Sequence, residues 1–229
     1  LVTMDGSLLV VPSFHVAYKI SEMLRVGAGL QALTGSFQSR VVFSAAVPGE
    51  VLGPPEDTRF DALSELKVGP IFAPSGNLGL TFVPHSLVRI GLSGQLPFVV
   101  QSPASVRVRL PSSPLFDGAY QEGERANVSF WVPAVLRLGV EARPIPELRV
   151  EAAYVREFWS AHDRIRITPE NILLYDIRGL PSPFAVSPIN LVRNFKDTHS
   201  FRLGAQYQFP VAGYPVEARA GLYYEPSAI

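Results

Sequence analysis

The chain has 229 residues, 47% hydrophobic and only 17% charged, with 20 basic and 20 acidic side chains that cancel to a formal net charge of zero. That balance leaves no basic footprint for nucleic acid, and the lack of cysteine excludes disulfide scaffolds and thiolate metal sites. No run approaches the ~20 apolar residues of a membrane helix, so a chain this apolar is either a soluble protein with a large core or a barrel that faces lipid.

From the N-terminus onward, apolar and polar residues alternate in run after run. Phe14, Val16, Tyr18 and Ile20 oppose His15, Ala17 and Lys19; Leu24, Val26, Ala28 and Leu30 oppose Arg25, Gly27, Gly29 and Gln31. Between Gly76 and Val83 the apolar face is Leu78, Leu80 and Phe82. Val88, Ile90, Leu92 and Leu96 then oppose Arg89, Gly91, Ser93 and Gln95. Leu136, Leu138, Val140 and Ala142 oppose Arg137, Gly139, Glu141 and Arg143, and Leu148, Val150, Ala152 and Tyr154 oppose Arg149, Glu151 and Ala153. Phe201, Leu203, Ala205, Tyr207 and Phe209 oppose Ser200, Arg202, Gly204, Gln206 and Gln208. Last, Val216, Ala218, Ala220, Leu222 and Tyr224 oppose Glu217, Arg219, Gly221, Tyr223 and Glu225. These are about eight strands of roughly the 9–11 residues that cross a tilted barrel wall.

Alternation alone does not say whether the apolar face packs on a core or meets lipid. The polar face mixes arginine, glutamate, glutamine and glycine with few lysines, which suits a lumen of paired charges. Loop rhythm is the stronger cue. Connections near Ser21-Glu22, Pro84–Ser86, Pro144–Pro146 and Pro210–Gly213 are short, whereas those at 39–68, 102–127 and 160–198 are long. Short turns on one side and long loops on the other belong to an antiparallel up-and-down transmembrane β-barrel with periplasmic turns and extracellular loops. The whole chain, 1–229, is predicted as one partial barrel domain of this kind. Trp131, Trp159, Phe98, Phe82, Phe209, Tyr223 and Tyr224 near strand ends fit interfacial girdles, or are simply good strand formers.

Several stretches resemble the FadL/TodX-type outer-membrane transporters of long-chain fatty acids and aromatic hydrocarbons. They are Leu24–Gln31, Trp131–Glu141, Tyr154–Ser160, Phe195–Tyr207 and Arg219–Ser227, in the family's order and spacing. The resemblance implies a 14-stranded barrel, an even count usual for bacterial outer-membrane barrels. It also implies an N-terminal hatch and passive diffusion of a hydrophobic ligand. No signal peptide precedes Leu1, and the chain stops just after a strand-like run. A fragment lacking the hatch and the first and last strands is therefore expected. The implied partners are the ligand, membrane lipid and lipopolysaccharide, the implied state is a monomer, and no cofactor is called for.

Inward-facing charges are the candidate site: Arg25, Arg89, Arg137, Arg202 and Arg219, with Lys19, Glu141, Arg149, Glu151 and Glu217 beside them. They either hold a ligand carboxylate or form an arginine–glutamate ladder that neutralises the barrel. Arg40 and Arg193 join the candidates only because the resemblance places basic residues in their neighbourhoods. Apolar loop segments at Val51–Pro55, Ile172–Tyr175 and Pro183–Val186 either capture a greasy ligand or bury one another. Four histidines without metal-ligand spacing predict no metal site, although Glu50, Glu56, Asp57 and Asp61 admit surface Ca²⁺ or a solvated loop. No catalytic residue is predicted. The alternatives are a structural or lipase-like barrel, which would need a pair such as Ser93 and His15, and a soluble ligand-binding β-barrel.

Overall fold

A side-chain period of two commits each run to a strand with one apolar and one polar face. A computed structural model of the chain describes residues 2–3, 6–44 and 58–229. The principal strands are β1 (Ser13–Lys19), β2 (Leu24–Ser44), β3 (Asp61–His85), β4 (Val88–Gln95), β5 (Phe98–Arg109) and β6 (Arg125–Val132). They continue as β7 (Val135–Ile145), β8 (Leu148–Glu157), β9 (Arg164–Pro169), β10 (Ile189–Val192), β11 (Thr198–Val211) and β12 (Tyr214–Tyr224). The order β1-β2-β3-β4-β7-β8-β11-β12 is an antiparallel up-and-down wall, each strand paired with the next. These eight are the strands that alternation predicts. The sheet does not close, because β1 and β12 do not pair with each other.

Tight turns join the wall at one end. Ser21 Oγ accepts the Met23 and Leu24 amides between β1 and β2. The pairs His85↔Val88, Ile145↔Leu148 and Val211↔Tyr214 close the others. In the last, Ala212 and Gly213 both have positive φ, 50° and 83°, as a two-residue hairpin requires.

At the other end the strands run further than expected. β2 has 21 residues and β3 has 25, pairing through Ser39↔Leu66 to Ser44↔Asp61. Much of the predicted loop 39–68 is therefore strand, and Thr58–Phe60 forms a 3-10 turn with Phe60 buried; residues 45–57, with Val51–Pro55, Glu50, Glu56 and Asp57, lie outside the described residues. The predicted loop 102–127 holds most of β5 and the start of β6. The predicted loop 160–198 holds β9, β10 and the short strands Leu173–Tyr175 and Phe184–Ala185. Alternation failed there because irregularities reset which parity faces inward. β4 runs into β5 across Leu96-Pro97, and β6 into β7 across Pro133-Ala134, with register preserved from Phe98↔Val132 to Gln95↔Val135. Between β2 and β3 the register slips between Gly35 and Phe37. Gly35 has φ 134°, and a Cβ there would stand 2.0 Å from the Leu8 carbonyl oxygen, so only glycine fits this bulge.

The extensions form an upper layer, β2-β3-β5-β6-β9-β10. Its inward face packs Val68, Val100, Val106, Val128 and Ile167 with Leu33, Ile71, Ala73 and Phe98. Ile172, buried, and Val186, half-buried, from the 160–198 segment pack against this cluster, whereas Pro183, Phe184 and Ala185 of the same segment are exposed. One interruption cuts the wall. On its β4/β5 side, β3 has no ladder between Val68↔Ala104 and Asn77↔Gln95, though it stays paired to β2 from Gly35↔Ile71 to Leu30↔Gly76. Pro70 and Pro74 sit in this interval, where a missing N–H costs no ladder bond. Ser102 Oγ donates to Pro70 O at 3.1 Å and Ser75 Oγ to Leu96 O at 2.8 Å across the gap.

Candidate functional site

The outer face of the wall carries no charge along the alternating runs, and its side chains lie open: Leu30 is 74% exposed, Phe14 71% and Leu78 69%. Such a face pointed at water would be an aggregation surface; pointed at lipid it is ordinary. The 11 residues of β7 cover roughly 25–30 Å at ~3.4 Å per residue and ~40° tilt, the height of an outer-membrane apolar band.

The inner face lines a trough of about 1030 Å³. Cross-strand register creates it. Gly27 faces Gly79, Gly91 faces Gly139, and Gly204 faces Gly221, so pairs of neighbouring strands leave bare floor. A Cβ on Gly91 would touch nothing within 4 Å, and one on Gly139 would meet only the Ala152 carbonyl oxygen at 3.8 Å. Arginines stand around this floor: Arg25, Arg137, Arg149, Arg202 and Arg219 all line it.

The lumen charges divide into two groups. Glu141, with an 11% exposed side chain, lies 2.9 Å from Arg149, 3.0 Å from Arg143 and 3.8 Å from Arg89. Arg149 also reaches Glu151 at 3.2 Å. This clustering offsets the direct cross-strand opposition of Glu141 and Glu151. Arg219 pairs with Glu217, and Arg202 with Glu225 at 3.3 Å. Arg25 and Arg137, by contrast, have no ion-pair partner among the described residues, and both line the trough.

The structure thus brings Arg25, Arg137, Arg202 and Arg219 to one cavity and places Arg89 at the Glu141 cluster nearer the tight turns. Arg40 is elsewhere, on the outward face of the upper layer, 3.0 Å from Glu65. Arg193 is exposed after β10, its amide bonded to the Asp163 carbonyl. Sequence reasoning missed the upper end of the trough. Going up the inner face, β2 passes from Arg25 through Gly27, Gly29 and Gln31 to buried Leu33, and β3 from Thr81 through Asn77 to buried Ala73 and Ile71. Asn77 Nδ2 donates to Gln31 Oε1 at 3.4 Å, while Gln31 Nε2 is buried without a partner. The signal was present as Leu33 continuing the polar parity of β2, but an isolated leucine does not announce a cluster.

An antiparallel wall with an uncharged, open apolar outer face and a charged, cavity-lining inner face defines a membrane β-barrel protein. The chain belongs to the outer membrane protein transport protein family (OMPP1/FadL/TodX), which matches residues 10–229. Among solved structures it is similar to the toluene transporter TbuX of Ralstonia pickettii, at 20% identity and TM-score 0.61 over 97% of this chain and 59% of that one. The CymD monoaromatic hydrocarbon channel gives 23% identity and TM-score 0.65 over 97% and 61%. A Pseudomonas aeruginosa FadL homologue gives 13% identity and TM-score 0.69 over 99% and 51%. The chain thus spans between half and two thirds of the length of these relatives. No curated protein matches it.

Proposed function

We propose that the chain forms wall of a bacterial outer-membrane channel through which hydrophobic small molecules, long-chain fatty acids or aromatic hydrocarbons, pass by diffusion. One observation carries the reading: the inner face changes along β2 and β3 from a glycine-floored trough to a buried apolar cluster beside an interrupted ladder. A greasy ligand gains from that apolar end and is not held by the bare floor. The toluene transporter and monoaromatic channel among the similar structures support the same substrate class. Within this reading Arg25, Arg137, Arg202 and Arg219 draw the polar end of an amphiphilic ligand into the trough, while Arg89 serves to neutralise Glu141. The protein acts as a monomer surrounded by lipid and carries out no catalysis. A lipase-like role lacks support, since Ser93 on β4 and His15 on β1 are separated by β2 and β3, roughly 14 Å at ~4.8 Å per strand.

Protein reconstituted in vesicles should speed uptake of a radiolabelled fatty acid or of toluene over empty vesicles; equal rates would remove the proposal. A carboxylate-selective route should lose its preference for fatty acid over toluene in Arg25→Gln/Arg137→Gln.

A further inference from the structure

We infer that Gln31, Asn77 and His15 form a neutral hydrogen-bonding neck at the upper end of the trough, which binds the hydroxyl group of an uncharged ligand, a phenol or an alcohol. The inference rests on the hydrophobic-channel reading and narrows it to the ligands that this one site holds.

The inner face sorts its side chains along the strands. On β2 it runs Arg25, Gly27, Gly29, Gln31 and Leu33, and on β3 Thr81, Gly79, Asn77, Ser75 and Ala73. Arginine stands at the lower end of this order and the buried apolar cluster at the upper. Between them, strands β1 to β4 contribute no acid, lysine or arginine. Register assembles the neck there: Ser13 pairs with Gln31, His15 with Gly29, Gly29 with Asn77 and Asn77 with Gln95. The next acid in that row, Glu157, lies two strands beyond Gln95 and accepts from the Trp159 indole at 2.6 Å.

A glycine lets the polar groups converge. Gly29 is buried, and a Cβ there would stand 2.5 Å from Asn77 Oδ1 and closer still to His15 Nδ1. Both groups thus occupy the space that a side chain at position 29 would fill. Asn77 Nδ2 donates to Gln31 Oε1 over a long 3.4 Å, and Gln31 Nε2 is buried with no acceptor among the described residues. Turning the Gln31 amide over would only exchange which of its atoms is left without a partner. Such a buried group is costly, and it points to a polar group that the site receives.

The chemistry of the neck selects that group. Amides and an imidazole present donors and acceptors side by side, and a hydroxyl uses both, accepting from Gln31 Nε2 while donating to an oxygen such as Asn77 Oδ1. A hydrocarbon leaves Gln31 unsatisfied. A carboxylate only accepts, so it is better placed among the arginines below. Directly beneath the neck, Gly27 and Gly79 face each other with Ala17 beside them, all lining the trough. Gly79 and Asn77 are one inward step apart on β3, ~6.8 Å, so a flat ring laid on this floor brings its hydroxyl up to the neck. The floor admits the ring, and the neck holds its oxygen.

Equilibrium dialysis of the detergent-folded protein against labelled 4-methylphenol, p-xylene and 4-methylbenzoate tests this, with protein-free micelles as the blank. The first two compounds differ only by a hydroxyl in place of a methyl. Gln31→Leu and Asn77→Leu should each weaken 4-methylphenol by about fivefold or more, while p-xylene and 4-methylbenzoate stay within about twofold. A heat-modifiable gel shift checks that the variants are folded. If either leucine disturbs folding, the unbranched Gln31→Met should show the same selective loss. Folded variants that bind 4-methylphenol like the parent, or that lose all three compounds alike, would overturn the neck. A folded parent that binds neither 4-methylphenol nor p-xylene would instead strike the channel reading on which the neck rests.

Discussion

At the scale of single residues, the most useful positions are those where a side chain can be added without a clash. Gly91 and Gly139 face each other on the trough floor with open space above both. Gly91→Leu and Gly139→Leu should therefore fold and still obstruct the trough, lowering uptake in vesicles several-fold while the heat-modifiable gel shift of a folded barrel is kept. Unchanged uptake in both variants would move the conduit elsewhere. Gly221 makes the contrast, because a Cβ there meets the Leu203 carbonyl oxygen at 3.1 Å. Outside the membrane, Asp197 is an acid held by several donors at once. The Ser160 hydroxyl and then Arg156 keep its carboxyl below its ordinary value, with the Ser160 amide adding to them. A lowered pKa means that the stabilisation is present above the ordinary carboxylate range, near pH 4, and is lost as pH falls through the lowered value. Asp197→Ala should cost about 1–3 kcal/mol at neutral pH in urea unfolding, and should flatten the acid limb of the stability profile. An acid limb identical to that of the parent would show that Asp197 is not the group responsible.

At the scale of elements, the eight wall strands were legible because each repeats one apolar face without interruption, and lipid on that face tolerates no exception. The same property makes a prediction. Leu138 and Leu203 lie outward near the middle of β7 and β11, so Leu138→Arg or Leu203→Arg should cost about 2–4 kcal/mol of folding into bilayers. Arginine placed at Ala153, on the trough side, should cost far less. Folding yields measured against urea in lipid vesicles separate the two, and equal penalties would mean that the faces are assigned the wrong way round. The upper strands were not legible because their prolines and the Gly35 bulge shift the exposed parity mid-strand. Val68 on β3 and Val100 on β5 are buried on even numbers, whereas Asn77 and Ser93 face inward on odd ones. A rule that demands one parity reads such a strand as a loop. The candidate site was half legible for the same reason. The arginines follow the regular part of the wall, whereas Leu33, Ile71 and Phe98 lie where the pattern resets.

At the scale of the whole molecule, the faces and ends set one orientation against the bilayer. Four tight turns mark one end, the upper layer the other, and the uncharged outer belt lies between them. Trp131, 47% exposed on the outward side just above Leu136, should then sit at the interface and not at the bilayer centre. Trp159 belongs to the same rim, where it packs edge-on against His162 and Phe195 and donates from Nε1 to Glu157 at 2.6 Å. These are the two tryptophans of the chain, so Trp159→Phe leaves a single depth gauge. In vesicles of lipids brominated at known positions, the fluorescence of that variant should be quenched at least twofold more by bromine near the headgroup than by bromine near the chain ends. Stronger quenching by deep bromine would lower the whole belt by several ångströms and draw the upper-layer cations into hydrocarbon. Absence of quenching by either label would return the chain to the soluble reading that its composition first allowed.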